Sequence, residues 1–214
     1  MSFPKYKVAM FGSYYRGFYL LNELLHGDIS DQVSVVGVAT DNPQASNIAA
    51  DKRVWQYPHS AYEEGMVSDL AEEFNVETFT GTVNAQPFYD IIEQWKPDIC
   101  VMATFGQRIK ARLINTPPLG FYNMHPCIDD SWPSEYVGGN PFQALMRDGK
   151  RYCTIAFHAV DESFDTGPLI EMSKKIALPK EASVTDMHKI SSFAAAQLAS
   201  GAVKKIIARH QAAT

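Results

Sequence analysis

Cysteine is scarce in this chain. Cys100, Cys127 and Cys153 form no close-spaced pair, which excludes a disulfide framework and a zinc site built on paired thiols. A surplus of positive charge is missing as well: 19 Lys and Arg stand against 24 Asp and Glu, a formal net charge of −5. Nucleic acid and anionic membranes call for a basic face, so neither is an expected partner. The pairs Lys174-Lys175 and Lys204-Lys205 read as solvated faces. No apolar run is long enough to span a membrane, and the stretch from Met1 to Lys7 leads into no signal-peptide core, so the expected location is cytoplasmic. Internal repeats, low-complexity tracts and a linker between domains are absent too. Residues 1–214 therefore read as one domain, long enough to bury a real core.

What is present is an alternation of strand and helix signals through the first half, the mark of a parallel α/β sheet. Tyr6 to Phe11 is an apolar run, and Gly12-Ser13 opens into a helical pattern through Phe18, Leu20, Leu21, Leu24 and Leu25. Val33 to Ala39 is rich in Val, as suits a strand covered on both faces. Asp41 to about Ser60 has no clear period and reads as a long loop. Glu63 to Phe74 reads as a helix with Met66, Leu70 and Phe74 on one face, followed by a short strand from Val76 to Phe79. Pro87 to Trp95 is helical and stopped by Lys96-Pro97. Ile99 to Ala103 is a buried strand, and Arg108 to Ile114 a short helix. Ile128 to Gly139 reads as a loop, Phe142 to Met146 as a short helix, and Arg151 to Val160 with Leu169 to Leu178 as a long antiparallel pair. A helix closes the chain from about Val184 to Arg209, with Ser183 and Asp186 placed as a capping box. The predicted fold is α/β: a Rossmann-like open, mostly parallel sheet flanked by helices, with an antiparallel pair in the C-terminal part.

Within this frame Tyr122 to His125 alternates as the end of a strand, so Asn123 and His125 point to one face. The loop Asp161-Glu162-Ser163-Phe164-Asp165-Thr166-Gly167 offers a distant carboxylate. An amide, an imidazole and a carboxylate that converge suit acyl transfer. The amide holds a carbonyl oxygen, the imidazole stabilises or protonates the oxyanion, and the carboxylate orients the imidazole or collects a proton. Taken singly, Asn-x-His and Asp-Thr-Gly are ordinary structural pieces. Their position favours a site, because ligands of open parallel sheets bind beyond the carboxyl ends of the strands. Cys127 beside His125 invites a thiolate reading that the amide, imidazole and carboxylate make unnecessary. His125, His158 and Asp165 are too dispersed in sequence for a dedicated zinc site, and no metal is expected. His158 reads as a core or edge histidine in preference to a ligand contact.

The run Ala103-Thr104-Phe105-Gly106-Gln107-Arg108-Ile109, then Pro117-Pro118-Leu119-Gly120, Asn123-Met124-His125-Pro126 and Asp161-Glu162-x-x-Asp165-Thr166-Gly167 resembles the 10-formyltetrahydrofolate-dependent formyltransferases over essentially the whole length. Glycinamide ribonucleotide, methionyl-tRNA and amino-sugar formyltransferases belong there. The resemblance implies an enzyme that moves a formyl group from 10-formyltetrahydrofolate to an amine. Asn123 would bind the formyl oxygen, His125 would stabilise the oxyanion, and Asp165 would hold His125 and assist proton removal. Phe105, Gly106, Gln107, Arg108 and Ile109, with Val160, Asp161 and Glu162, would cradle the pterin.

The sequence also departs from the family. After His-Pro the family continues into a short Ser-Leu-Leu-Pro stretch, whereas Cys127 to Gly139 here is longer and acidic and carries Trp132. The turn Gly12-Ser13-Tyr14-Tyr15-Arg16-Gly17 lacks the Gly-rich form that cradles phosphate in the glycinamide ribonucleotide enzymes. Arg16 reads as a surface residue by default and as a phosphate contact otherwise. The expected acceptor is a small amine, most plausibly an amino sugar, free or nucleotide-linked, with Tyr14, Arg16, Asp130, Trp132 and Tyr136 as candidate contacts. Trp132 and Tyr136 read equally as loop anchors. The rival readings are a 10-formyltetrahydrofolate hydrolase that releases formate, a glycinamide ribonucleotide-type transferase, and a folate-binding protein without turnover. Monomer and homodimer are both compatible with the sequence.

Overall fold

A computed structural model describes residues 4–42, 59–128, 131–136, 141–163 and 165–214. The first half alternates as β1 (Tyr6–Gly12), α1 (Tyr14–His26), β2 (Val33–Ala39), α2 (Ala61–Glu73), β3 (Thr78–Phe79), α3 (Gln86–Trp95), β4 (Ile99–Ala103), α4 (Ala111–Ile114) and β5 (Phe121–Cys127). The second half holds α5 (Pro141–Arg147), β6 (Tyr152–Ala159), β7 (Leu169–Met172), β8 (Ile176–Ala177) and α6 (Val184–Ala213). One sheet orders its strands β3-β2-β1-β4-β5-β6-β7, with β8 also paired to β6. The pairs from β3 through β5 are parallel, and those made by β6 are antiparallel. Strand order reverses between β1 and β4, which opens a crevice at their carboxyl ends.

Side-chain alternation builds the two layers. Val8 and Met10 of β1 face a core with Leu20, Leu21 and Leu24 of α1, Met66 and Leu70 of α2, and Ala195, Ala199 and Val203 of α6. Ala9 and Phe11 face the other way, against Phe88, Ile92 and Trp95 of α3 and Leu113 of α4. Strand β5 obeys the same parity: Tyr122 and Met124 join the first core and Phe121 the second. Asn123 and His125 therefore share the face of Phe121. Pairing of β5 with β4 ends at Asn123, whereas pairing with β6 continues to Cys127. The site residues thus stand on an overhang beyond the parallel part of the sheet.

Capping boxes start α2 at Ser60 and Glu63 and α6 at Ser183 and Asp186, the second as expected. Three expectations are corrected. Phe74 is 40 % exposed, because α2 ends at Glu73 and Phe74 only caps it. The helix expected from Arg108 contracts to Ala111–Ile114: Asn84 binds the Arg108 carbonyl and the Lys110 N–H by its side chain and takes up the backbone that would begin it. The single strand expected from Leu169 to Leu178 is broken into β7 and β8. The Ser173 hydroxyl accepts from the Ile155 N–H in place of a main-chain carbonyl, which interrupts the ladder. Residues 43–58 of the loop expected after Asp41, and residues 129–130 and 137–140 of the loop expected from Ile128 to Gly139, lie outside the described residues.

Gly37 of β2 is a close-approach position, where an added Cβ would stand 2.2 Å from Trp95 Cε2. Trp95 is also held by its indole N–H, which donates to Glu77 at 2.9 Å. Gly37→Ala is expected to destabilise the fold by about 1–3 kcal/mol through overpacking. Chemical denaturation should show a lower midpoint with an unchanged slope.

Candidate active site

Three loops meet at the crevice. Asp41, at the end of β2, ties two of them together: its carboxylate accepts from Ser13 Oγ at 3.0 Å and from the Gly106 N–H at 2.7 Å. A Cβ on Gly106 would collide with that carboxylate, 2.8 Å away, so the residue after Phe105 is glycine for lack of room. Among the described residues, five non-glycine residues have positive φ. Asn75 and Lys96 follow helices, but Tyr14, Thr104 and Asp165 mark the turns after β1, β4 and β6. Left-handed backbone costs such residues roughly 1–2 kcal/mol each, and strain of this kind concentrates where a site is built.

Asn123, His125 and Asp165, expected to converge, do meet. Asn123 Nδ2 donates to Asp165 Oδ1 at 3.0 Å, and His125 Nδ1 lies 3.2 Å from Asp165 Oδ2, all three residues buried. His125 Nε2 is 2.7 Å from the Tyr136 carbonyl oxygen. A carbonyl can only accept, so Nε2 carries a hydrogen, while Nδ1 faces a carboxylate. The Asn123 amide gives one of its two Nδ2 hydrogens to Asp165 and keeps the other for a further acceptor. The arrangement is one that can stabilise an anion: a side-chain amide and an imidazole, both buried and both against one carboxylate.

Of the pterin candidates, Phe105, Gln107, Arg108, Ile109, Val160 and Asp161 line the same pocket as Asn123, His125 and Asp165. Gln107 does so as scaffold, since its amide is spent on the Val83 N–H and the Gly81 carbonyl. Arg108 reaches across to the Glu162 carbonyl, and Asp161 holds its own loop through the Ser163 N–H and the Thr166 hydroxyl. Gly106 and Glu162 act on this pocket by backbone contacts alone, without lining it.

The acceptor candidates divide differently. Arg16 is not a surface residue: it is 3 % exposed, lines the pocket, and donates to Ser191 of α6 at 3.1 Å and Thr104 at 3.4 Å. Tyr14 stacks on His59 at 3.6 Å, and burial with the nearby Asp41 charge pushes its hydroxyl pKa well up. Trp132 lies against His158 and donates its indole N–H to the Gly167 carbonyl at 2.9 Å. Tyr136 enters the site by its backbone carbonyl, while its ring hydroxyl turns to Asp148. Asp130 lies outside the described residues. Cys127 is buried and bound to Thr154, away from any nucleophilic task. Among the described residues no group of three or more His, Cys, Asp or Glu is arranged to hold a metal ion, and no helix is long and apolar enough to cross a membrane.

His158 is buried on β6, as a core histidine would be, and also lines the pocket. Strand register puts it directly across from Asn123, and its Nε2 is 3.8 Å from Asp165 Oδ1 inside the pocket. His188 of α6 lines the pocket as well and packs edge-on against Phe142. Burial lowers the pKa of both histidines, and for His188 the Arg16 charge lowers it further. The unfolded chain binds their protons near pH 6.5, a pH at which the folded chain does not. Stability is therefore at its fullest above about pH 6.5 and falls as the pH drops below it. Thermal melts from about pH 7.5 down to about pH 5 should show a falling midpoint, and His188→Gln should flatten that dependence.

A formyl transferase family model matches residues 6–202 of the chain. The methionyl-tRNA formyltransferase of Kosmotoga olearia is 30% identical over 104 residues, 48% of this chain and 32% of that protein. Its counterpart from Syntrophomonas wolfei is 28% identical over 142 residues, 66% of this chain and 44% of that protein. Matches to these curated relatives thus span between about a third and under half of their lengths. The fold is that of glycinamide ribonucleotide transformylase 1 from Geobacillus kaustophilus, with a TM-score of 0.70 at 16% identity over 95% of this chain and 99% of that one. A formyltetrahydrofolate deformylase from Pseudomonas syringae shares it, with a TM-score of 0.68 at 17% identity over 94% of this chain and 61% of that one. With the family match covering every strand of the sheet, β5 with Asn123 and His125, and the loop of Asp165, the chain belongs to the formyl transferase family.

Proposed function

We propose that this protein is an N-formyltransferase that moves the formyl group of 10-formyltetrahydrofolate to the amine of a small acceptor. The observation that carries the reading is the convergence of Asn123, His125 and Asp165 in one buried, hydrogen-bonded set. Asn123 binds the formyl oxygen, and His125, once its Nε2–H turns from the Tyr136 carbonyl to the substrate, stabilises the negative charge that grows on that oxygen as the amine attacks. Asp165 orients the His125 ring and takes the proton of the amine. Phe105, Ile109 and Val160 form an apolar wall beside backbone groups, the physics that suits a flat heterocycle with a polar edge.

For the acceptor we favour an amino sugar, free or nucleotide-linked, in a cytoplasmic enzyme. An excess of acidic over basic residues disfavours tRNA. The buried Arg16 supplies a cation in the pocket, and Trp132 packs an aromatic ring on His158, which lines it. The test is release of tetrahydrofolate from 10-formyltetrahydrofolate, followed by absorbance with and without amino-sugar nucleotides, free amines and methionyl-tRNA. Turnover confined to one acceptor supports transfer and identifies the substrate class. Formate release without an acceptor replaces it with a hydrolase.

A further inference from the structure

His158 has no task in the scheme above, yet its surroundings are specific. It is 2 % exposed, lies against Trp132 at 4.6 Å between ring centroids, and has Leu169 of β7 as its partner on the other side. Its Nδ1 is 2.8 Å from the Ala159 carbonyl oxygen. That oxygen only accepts, so Nδ1 holds the hydrogen, and in the neutral ring Nε2 carries a lone pair. Nε2 has no hydrogen-bond partner, and it faces Asp165 Oδ1 at 3.8 Å, beyond hydrogen-bond distance. Two acceptors thus confront each other in a buried site, an arrangement that one added proton would convert into a donor–acceptor pair. The titratable and charged groups around the ring are His125 from β5 and Asp161 and Asp165 from the loop after β6. Arg16 of α1, Arg108 before α4 and His188 of α6 line the same pocket.

We propose that His158 is a positioning residue for formyl transfer, whose Nε2 lone pair receives through Asp165 the proton given up by the attacking amine. This rests on the formyltransferase reading. As the amine nitrogen bonds to the formyl carbon, the carbonyl electron pair moves to oxygen, where Asn123 and His125 hold it. The nitrogen then sheds its proton to Asp165, which passes it to His158, restoring the carboxylate and leaving an imidazolium. When the carbonyl re-forms, the bond from the formyl carbon to N10 breaks and its electron pair stays on N10. The stored proton returns through Asp165 to that nitrogen, so protons and charge balance over one turnover. Burial supports the resting state, because it holds the His158 pKa below the ordinary histidine value and keeps the ring neutral. The Ala159 carbonyl and the Asp165 and Asp161 carboxylates pull in the other direction.

Two measurements test the proposal. Nitrogen NMR of the labelled full chain should show His158 as the neutral Nδ1–H tautomer at neutral pH. Its pKa should fall further in Asp165→Asn, which removes a carboxylate that raises it. An Nε2–H tautomer, or the same pKa in both proteins, overturns the proposal whether or not the chain transfers formyl groups. In kinetics with an acceptor that supports turnover, His158→Phe keeps a ring against Trp132 but has no lone pair. Its kcat should fall about tenfold or more with KM for the folate within about twofold. The wild-type decline in kcat on the acid side of about pH 6.5, where an imidazolium would occupy Asp165, should vanish in the variant. Unchanged kcat and an unchanged acid limb overturn the proposal; if the Phe variant does not fold, His158→Gln is read the same way. Wild-type protein that turns over no acceptor overturns the formyltransferase reading and this proposal with it, an outcome distinct from a failed NMR arm in an active enzyme.

Discussion

Replacing His125 with alanine is expected to lower kcat for formyl transfer by roughly 10²–10³-fold while leaving affinity for the folate within a few-fold. The ring is held between the Tyr136 carbonyl at Nε2 and the Asp165 carboxylate beside Nδ1, so its orientation is set before any substrate arrives. A preorganised donor in a buried crevice acts mainly on the charge that develops in the transition state, so the loss falls on kcat. The surrounding fold should survive. Met124 and Tyr122, which anchor β5 in the core, point to the opposite face. Single-turnover rates and folate titration of the variant check both halves. A near-normal rate would remove His125 from the chemistry and the formyltransferase reading with it.

Asp165→Asn is expected to be comparably damaging, by roughly 10²–10⁴-fold in kcat, for a different reason. Asparagine keeps the size and the acceptor oxygen but removes the negative charge beside His125 Nδ1 and the base proposed for the amine's proton. The substitution isolates charge from backbone conformation. Asp165 has φ of 51°, a left-handed value that asparagine tolerates far better than most residues. Asp165→Ala should add about 1 kcal/mol of backbone strain and a lower melting temperature, whereas Asp165→Asn should melt near the wild type. Kinetics and melting curves of the two variants separate the effects. If Asp165→Asn turns over at the wild-type rate, the carboxylate is structural.

Much of this architecture is legible in the sequence because local periodicity carries it. The Val-rich run of β2, the apolar alternation of β1 and the Ser183–Asp186 cap each depend on residues a few positions apart. Asn123 and His125 could be paired by their spacing of two along a strand. The features that escaped depend on long-range contacts. Arg16 is buried because Ser191, 175 positions away, meets its guanidinium, and no local signal distinguishes it from a surface arginine. His158 belongs to the site because antiparallel register sets it opposite Asn123. Asp41 joins two turns through Ser13 and Gly106, at sequence distances of 28 and 65. The break between β7 and β8 came from one serine hydroxyl replacing a carbonyl in the ladder.

The overhang of β5 beyond β4 gives the site two parts of unequal mechanical standing. Asn123 and His125 are carried by a strand whose ladder to β6 is unbroken over Tyr122 to Cys127, so they can separate from each other only if the sheet itself comes apart. Asp165 belongs to a connection whose backbone lies outside that ladder. Opening of such a segment needs far less free energy than global unfolding. The site can therefore be dismantled by withdrawing its carboxylate while amide and imidazole stay in register.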